Sequence, residues 1–226
     1  MLLLVTNTSG KQGSVALARA GEHDPHGVQV IEVAPLEGGA FSAQLVPQIA
    51  ALLAKHRFSK AEIDAFIVVS GPGSFTGLRV GLAAIKALAE ILKKPIVSLS
   101  LLETVAVASL AQGRVTAALD AGRGDIYCGS YEITGNTVQV LQEQLLPKAE
   151  FLSVARESTI ITPDPNWAAT AREARLKVIA VEVPSPEMIT RLGWKKLQAR
   201  ETVSPEQLEA NYMRRSDAEM FVKSSS

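Results

Sequence analysis

The stretch SGPGSFTGLRVG, Ser70 to Gly81, combines residue types and spacing that could do chemistry: four glycines, with Ser74 and Thr76 between them, link an apolar run to a long helical pattern. A helix start exposes N–H groups that can hold an anion, which makes Gly71, Gly73 and Ser74 the candidate anion-binding residues. The spacing departs from both phosphate-loop templates. Thr76 stands where G-x-G-x-x-G needs its last glycine, and no Gly-Lys-Ser/Thr follows. A tight strand-to-helix turn, stiffened by Pro72 and capped by Ser74 or Thr76, explains the same residues without a ligand. Metal ligation has little to draw on. His23 and His26 flank Asp24 and Pro25 in a polar turn that fits a solvated loop better than a metal site. His56 ends a helical pattern, where a cation complements the dipole. Asp120, Arg123 and Asp125 surround the turn AGRG; they read either as an active constellation or as a turn stabilised by carboxylate and guanidinium. These residues assign neither a catalytic group nor a metal site.

The elements that position the loop follow from periodicity. Residues 2–6, 14–19 and 28–34 form three short apolar runs separated by turns, an antiparallel start. Leu45, Ile49 and Leu52 then recur at helical spacing from Ser42 to His56, with Pro47 near the start. SKAE at 59–62 has the capping-box form, Ile63 to Val69 is a β-branched run, and Phe75 to Lys93 is a long helix stopped before Pro95. A short strand at 97–99 precedes SLLE at 100–103, a second capping box that opens a helix to about Gln112. Strands 115–120, 125–133 and 137–144 then repeat the meander, and helical and strand pieces follow. The order strand, strand, strand, helix, strand, helix occurs twice with hardly any residue identity, so the chain reads as a structural duplication in two α/β domains with mixed sheets. The boundary falls near 100–114. Trp167 and Trp194 read as helix packing residues. Within the long helix, Phe75, Leu78, Leu82, Ile85, Ala89 and Leu92 form one stripe, while Gly77, Gly81, Ala84 and Leu88 form a second. One stripe faces the sheet and the other a helix neighbour or a second chain; both as intrachain core remains open.

The 226 residues are 47% hydrophobic and 20% charged, which provides a packed core and excludes a disordered chain. Twenty-three basic residues balance twenty-three acidic ones, so no global field draws the chain onto nucleic acid, and any contact with RNA is expected through a partner. The single cysteine, Cys128, excludes a disulfide scaffold and suits a reducing cytosol, hence a cytoplasmic protein. MLLLVTNTSG reads as a first strand and not a signal peptide, and no apolar stretch is long enough for a membrane span.

SGPGSFTGLRVGLAAIKALA resembles the signature of the bacterial TsaB (YeaZ) family. VTNTSGKQGSVAL is similar to that family's opening strand, turn and strand, ALDAGRGDIYCGSY to its mid-chain hairpin, and NYMRRSDAE to its closing Tyr-x-Arg segment. The resemblance implies the duplicated actin-like and heat-shock-ATPase-like (ASKHA) fold, with residues 1–103 and about 205–226 in the first domain and 104–204 in a smaller second one. It implies a noncatalytic scaffold or activator of a TsaD-like threonylcarbamoyltransferase in making threonylcarbamoyladenosine beside the tRNA anticodon. A TsaE-like ATPase joins the complex, tRNA is met only through it, and no cofactor is held by this chain. TsaD-like catalysis uses a His-x-x-x-His metal pair, which this chain lacks. The partner surface is expected on the two long helices, at Leu45, Ile49, Leu52, Leu78, Leu82 and Ile85 with the close-approach glycines Gly77 and Gly81; the same patch would serve a homodimer. Two positions depart from the family pattern: Asn7 stands where the first hairpin often carries Asp, and Phe41, Ser42, Ala43 replace a frequent His-Ser-Glu. The competing readings are a nucleotide-dependent kinase of the same superfold, a glycoprotease, and a generic dimeric binding module. Asn7 and the proline-bearing ITPDPN at 161–166 argue against the kinase, and the missing metal ligands against the peptidase.

Overall fold

The computed structural model describes residues 1–21 and 27–214; His23, His26 and the end of the Tyr-x-Arg segment, from Arg215, lie outside them. In chain order the elements are β1 (Leu2–Asn7), β2 (Gln12–Ala20), β3 (Val28–Glu37), α1 (Phe41–Lys55), β4 (Ile63–Gly71), α2 (Phe75–Leu92) and β5 (Ile96–Ser100). There follow α3 (Leu101–Ala108), β6 (Gly113–Gly122), β7 (Asp125–Thr134), β8 (Thr137–Pro147), α4 (Lys148–Val154), β9 (Thr159–Thr162), α5 (Pro165–Glu173), β10 (Val178–Ala180) and α6 (Pro186–Gln198). The capping box at 59–62 forms, with the Glu62 carboxylate accepting the Ser59 N–H at 2.7 Å, and opens a single 3-10 turn.

The chain divides into two units, Met1–Leu101 with Ser185–Asn211, and Leu102–Pro184 with the segment from Tyr212. Each holds a five-stranded mixed sheet, ordered β3-β2-β1-β4-β5 in the first and β8-β7-β6-β9-β10 in the second. The same order twice is the duplicated actin-like architecture. The central strands β1 and β4 run nearly without polar residues because helices cover both faces of the sheet. Even an irregularity is duplicated. The β2–β3 ladder slips after Leu17 and the β7–β8 ladder after Ser130, each the sixth residue of its strand, which leaves Ile31 and Leu141 as the extra residues of the edge strands β3 and β8. Such bulges twist an edge away from further pairing.

The helices differ from the sequence expectation in two respects. Residues 104–204 do not pack as one body, because each unit's sheet takes a helix from the other half of the chain. Leu102, Val105 and Ala106 of α3 pack on Val115, Ala117 and Tyr131 of the second sheet. In return α6 lies on the first sheet, so close that a Cβ on Gly193 would stand 2.5 Å from Ile67. The segment after it adds an antiparallel bridge on the β5 edge, where Val203 N–H donates to Ile96 C=O at 2.8 Å. Helix α3 also ends at Ala108, short of Gln112.

Candidate functional site

The glycine-rich loop carries α2 onto the β1–β2 turn. A Cβ on Gly73 would lie 2.2 Å from the Ser9 carbonyl oxygen, one on Gly77 2.2 Å from the Thr8 carbonyl oxygen, and one on Gly81 2.2 Å from Thr8 Oγ1. Gly77 and Gly81, at i and i+4, are thus the face through which the first turns of α2 rest on Thr8, while Gly73, ahead of the helix, meets Ser9. The turn is itself held by Asn7, whose Oδ1 accepts from Ser9 N–H at 3.0 Å and Ser9 Oγ at 2.6 Å. Ser74 N–H donates to the Ser9 carbonyl at 2.7 Å, and Ser74 Oγ caps Gly77 N–H at 3.2 Å. Gly71, with φ +125°, lies against Leu78 and Asn211. The expectation of an anion loop at Gly71, Gly73 and Ser74 is therefore corrected. The Ser74 amide already has a carbonyl partner, and a carbonyl oxygen at the helix start has the wrong polarity for a phosphate. Asn7, neutral and engaged in its own turn, offers no negative charge to a divalent cation there.

The expected partner surface also needs correction. Leu45, Ile49 and Leu52 of α1, and Leu82 and Ile85 of α2, pack in the core of the first unit with Leu4, Phe66 and Val68, and Leu78 is fully buried. Gly77 and Gly81 approach this chain's own turn and not a partner. What the two helices leave uncovered is the opposite stripe. On α1 it comprises Ala43, Val46, Pro47, Ala50 and Ala54; on α2, Ala83, Ala87 and Ile91, edged by the half-buried Val80. Val46 is 57% exposed and Ile91 71%. No charge interrupts α1 before Lys55; on α2 the Arg79 guanidinium lies back over the Phe75 ring at 3.8 Å, the half-buried Lys86 flanks the stripe, and the exposed Glu90, paired with Lys93 at 2.6 Å, lies on it beside Ile91. Both helices cover the same face of one sheet, so their outward stripes look the same way.

The remaining sequence candidates have structural partners. Asp120 Oδ1 accepts from Gly122 N–H and from the Trp167 indole, each at 3.2 Å, and Asp125 takes the Arg214 guanidinium at 2.6 Å, which reaches Gly122 C=O as well. Arg123 sits at the tip with φ +60°. The constellation is a stapled turn, and Arg214 of the Tyr-x-Arg segment is its staple. At the end of α1, Lys55 and His56 each reach a different oxygen of Glu32 at 2.7 Å, and these hydrogen bonds hold the Glu32 carboxyl below the usual carboxylate range. Burial pushes the Cys128 thiol up to about 11, so it is no nucleophile at neutral pH. Trp194 is buried, and Trp167 meets Phe151 edge-to-face. Among the described residues, no three His, Cys, Asp or Glu side chains are grouped to hold a metal, and no helix is long and apolar enough to cross a membrane.

A family model described as "TsaD: tRNA N6-adenosine threonylcarbamoyltransferase" matches residues 35–218. The chain is 27% identical over 226 residues to the tRNA threonylcarbamoyladenosine biosynthesis protein TsaB of Escherichia coli K12, covering 95% of both chains. It is 33% identical to the Bacillus subtilis protein of the same name over 118 residues, about half of each chain. YeaZ from Pseudomonas aeruginosa has the same fold, with a TM-score of 0.69 over 93% of this chain and 100% of that one at 22% identity. The topology, the glycine face beneath α2 and these likenesses agree: the chain belongs to the TsaD family of tRNA N6-adenosine threonylcarbamoyltransferases, on its TsaB (YeaZ) branch.

Proposed function

We propose that this protein is a noncatalytic subunit in the formation of threonylcarbamoyladenosine in tRNA, and that it docks through the outward stripe of α1 and α2 onto a TsaD-like catalytic subunit. The observation that carries the reading is the pairing of a filled loop with an uncovered face. The β1–β2 turn packs into the glycine-rich loop, and Asn7 leaves that turn without the carboxylate a divalent cation favours. On the outward side of the two long helices alanine, valine and isoleucine predominate, with Arg79 and Glu90 the charges on the α2 half. Small outward residues let partner helices approach closely, which suits a helix-on-helix interface. A second copy of this chain is the competing occupant when the partner is absent, since such a face can be self-complementary about a two-fold axis. A TsaE-like ATPase joins the assembly, tRNA is met through it, and the complex works in the cytoplasm. The balanced charge supports indirect contact with tRNA.

The experiment is reconstitution with the TsaD-family catalytic subunit of the same organism and unmodified tRNA. Modification is expected to depend on this chain and to stay dependent on it at saturating magnesium nucleotide. Full modification by the catalytic subunit alone, with no complex formed, would refute the reading. Tight magnesium-dependent ATP binding with turnover by the isolated chain would favour the kinase instead.

A further inference from the structure

The two ends of α1 are held by different forces. The C-terminal end is tied to β3 by the Glu32 carboxylate, which receives both Lys55 and His56. The N-terminal end begins at Ala40 without a side-chain cap and with no acidic residue in its first turn. Pro47 has no N–H to give the Ala43 carbonyl, so the helix ladder is also broken one turn in. What meets this end instead is the Phe41 ring, buried at 5% exposure. One edge of the ring lies 2.9 Å from where a Cβ on Gly13 would stand, and the other edge lies 3.1 Å from where a Cβ on Gly77 would stand. The ring therefore fills a slot that exists because β2 and α2 both carry glycine at the contact. Gln44 adds one exposed tie, its Oε1 accepting Glu37 N–H at 2.8 Å.

We infer that Phe41 is a positioning residue: its ring, clamped between Gly13 and Gly77, fixes the first turns of α1 against α2 and so sets the relative placement of the two halves of the docking stripe. Val46 and Pro47 lie in the weakly laddered segment that the ring holds, whereas the α2 half is carried by an uninterrupted helix capped by Ser74. Phe41 does not itself lie on the outward stripe. This inference rests on the docking reading above, and its test separates the two.

Amide hydrogen exchange of the full chain, comparing wild type with Phe41→Ala and Phe41→Leu, reads the clamp directly. Phe41→Ala is expected to speed exchange at Leu45, Val46 and Gln48 by at least about tenfold, with Ile85 to Ala89 of α2 unchanged and Phe41→Leu in between. Unchanged exchange at 45–48, or equal acceleration in both helices, overturns the inference; if the alanine variant does not fold, the leucine variant decides by the same criterion. Titration against the TsaD-family catalytic subunit gives the second arm. There Phe41→Ala is expected to weaken binding about tenfold and to be non-additive with Val46→Asp, yet additive with Ile91→Asp. A folded Phe41→Ala that binds like wild type while Val46→Asp abolishes binding overturns the positioning role and leaves the docking surface standing. If neither Val46→Asp nor Ile91→Asp changes binding, the docking reading itself fails.

Discussion

The two units share a sheet order, a bulge position and a helix sequence, yet their outer helices differ in length and surface. In the first, α1 and α2 run 15 and 18 residues; in the second, the corresponding α4 and α5 run 7 and 9. At about 1.5 Å per residue, α2 is twice the length of α5. The short helices cover their sheet through Phe151, Ala168 and Ala171 and turn Lys148, Glu150, Arg172 and Glu173 to solvent. The long helices bury one apolar stripe and present a second of small apolar residues, free of charge on α1 before Lys55 and interrupted on α2 by Arg79 and Glu90. A five-stranded sheet is covered by the short design, so the extra length and outward alanines of the first unit meet a need other than folding. Docking on another helical surface is such a need.

The largest expected effect contrasts neighbouring residues of α2. Leu82→Glu places a carboxylate in the core of the first unit and is expected to cost ~3–5 kcal/mol, enough to unfold a marginal domain, whereas Ala83→Glu is expected to stay within about 0.5 kcal/mol of wild type. Chemical denaturation of both variants checks the assignment of faces; equal stabilities would mean that the buried and outward stripes are reversed. The second unit offers Cys128, whose thiol is held near 11. At pH 8 its labelling by a thiol reagent is expected to run at least about 100-fold slower than in the denatured chain. The unfolded thiol ionises first, near pH 8.5, so the stability gained by keeping it neutral is full below that pH and falls as pH rises toward 11. Cys128→Ala should remove that alkaline slope, and an unchanged slope would place its origin elsewhere.

Smaller effects follow at the ties. Asp125→Ala removes the partner of Arg214 in a half-exposed pair and is expected to cost about 1 kcal/mol, with thermal unfolding as the measurement. The smallest concerns Glu32. Its carboxyl is held low by Lys55 and His56, so the small contribution of this tie is present above the ordinary carboxylate pKa and is lost as pH falls through the lowered folded value. A carbon-detected NMR titration should find its midpoint below that of a free glutamate, and Lys55→Ala should move it upward.

The strands and long helices were legible in the sequence because their apolar residues recur at periods of two and of three to four. Which stripe of each long helix faces inward was not, because both are apolar: Leu45, Ile49 and Leu52 alternate with Val46, Ala50 and Ala54, and size alone separates them. In retrospect the larger side chains fill the core and the smaller ones face out. Gly77 and Gly81 did announce a close backbone approach, but that the approach is to Thr8 is a contact between distant segments that no local pattern carries. The exchange of α3 and α6 between the units was hidden for the same reason. An amphipathic helix shows that it covers a sheet and not which one.

The docking surface is tested most directly by placing the same charge on corresponding outward alanines of the two units, Ala83→Glu on α2 and Ala169→Glu on α5, and titrating each folded variant against the TsaD-family catalytic subunit. Loss of binding by at least about 30-fold is expected for Ala83→Glu, the scale of an interface hot spot, with wild-type affinity for Ala169→Glu. Wild-type affinity in a folded Ala83→Glu, or an equal loss from both variants, would contradict the assignment of docking to the outward face of the first unit's helices.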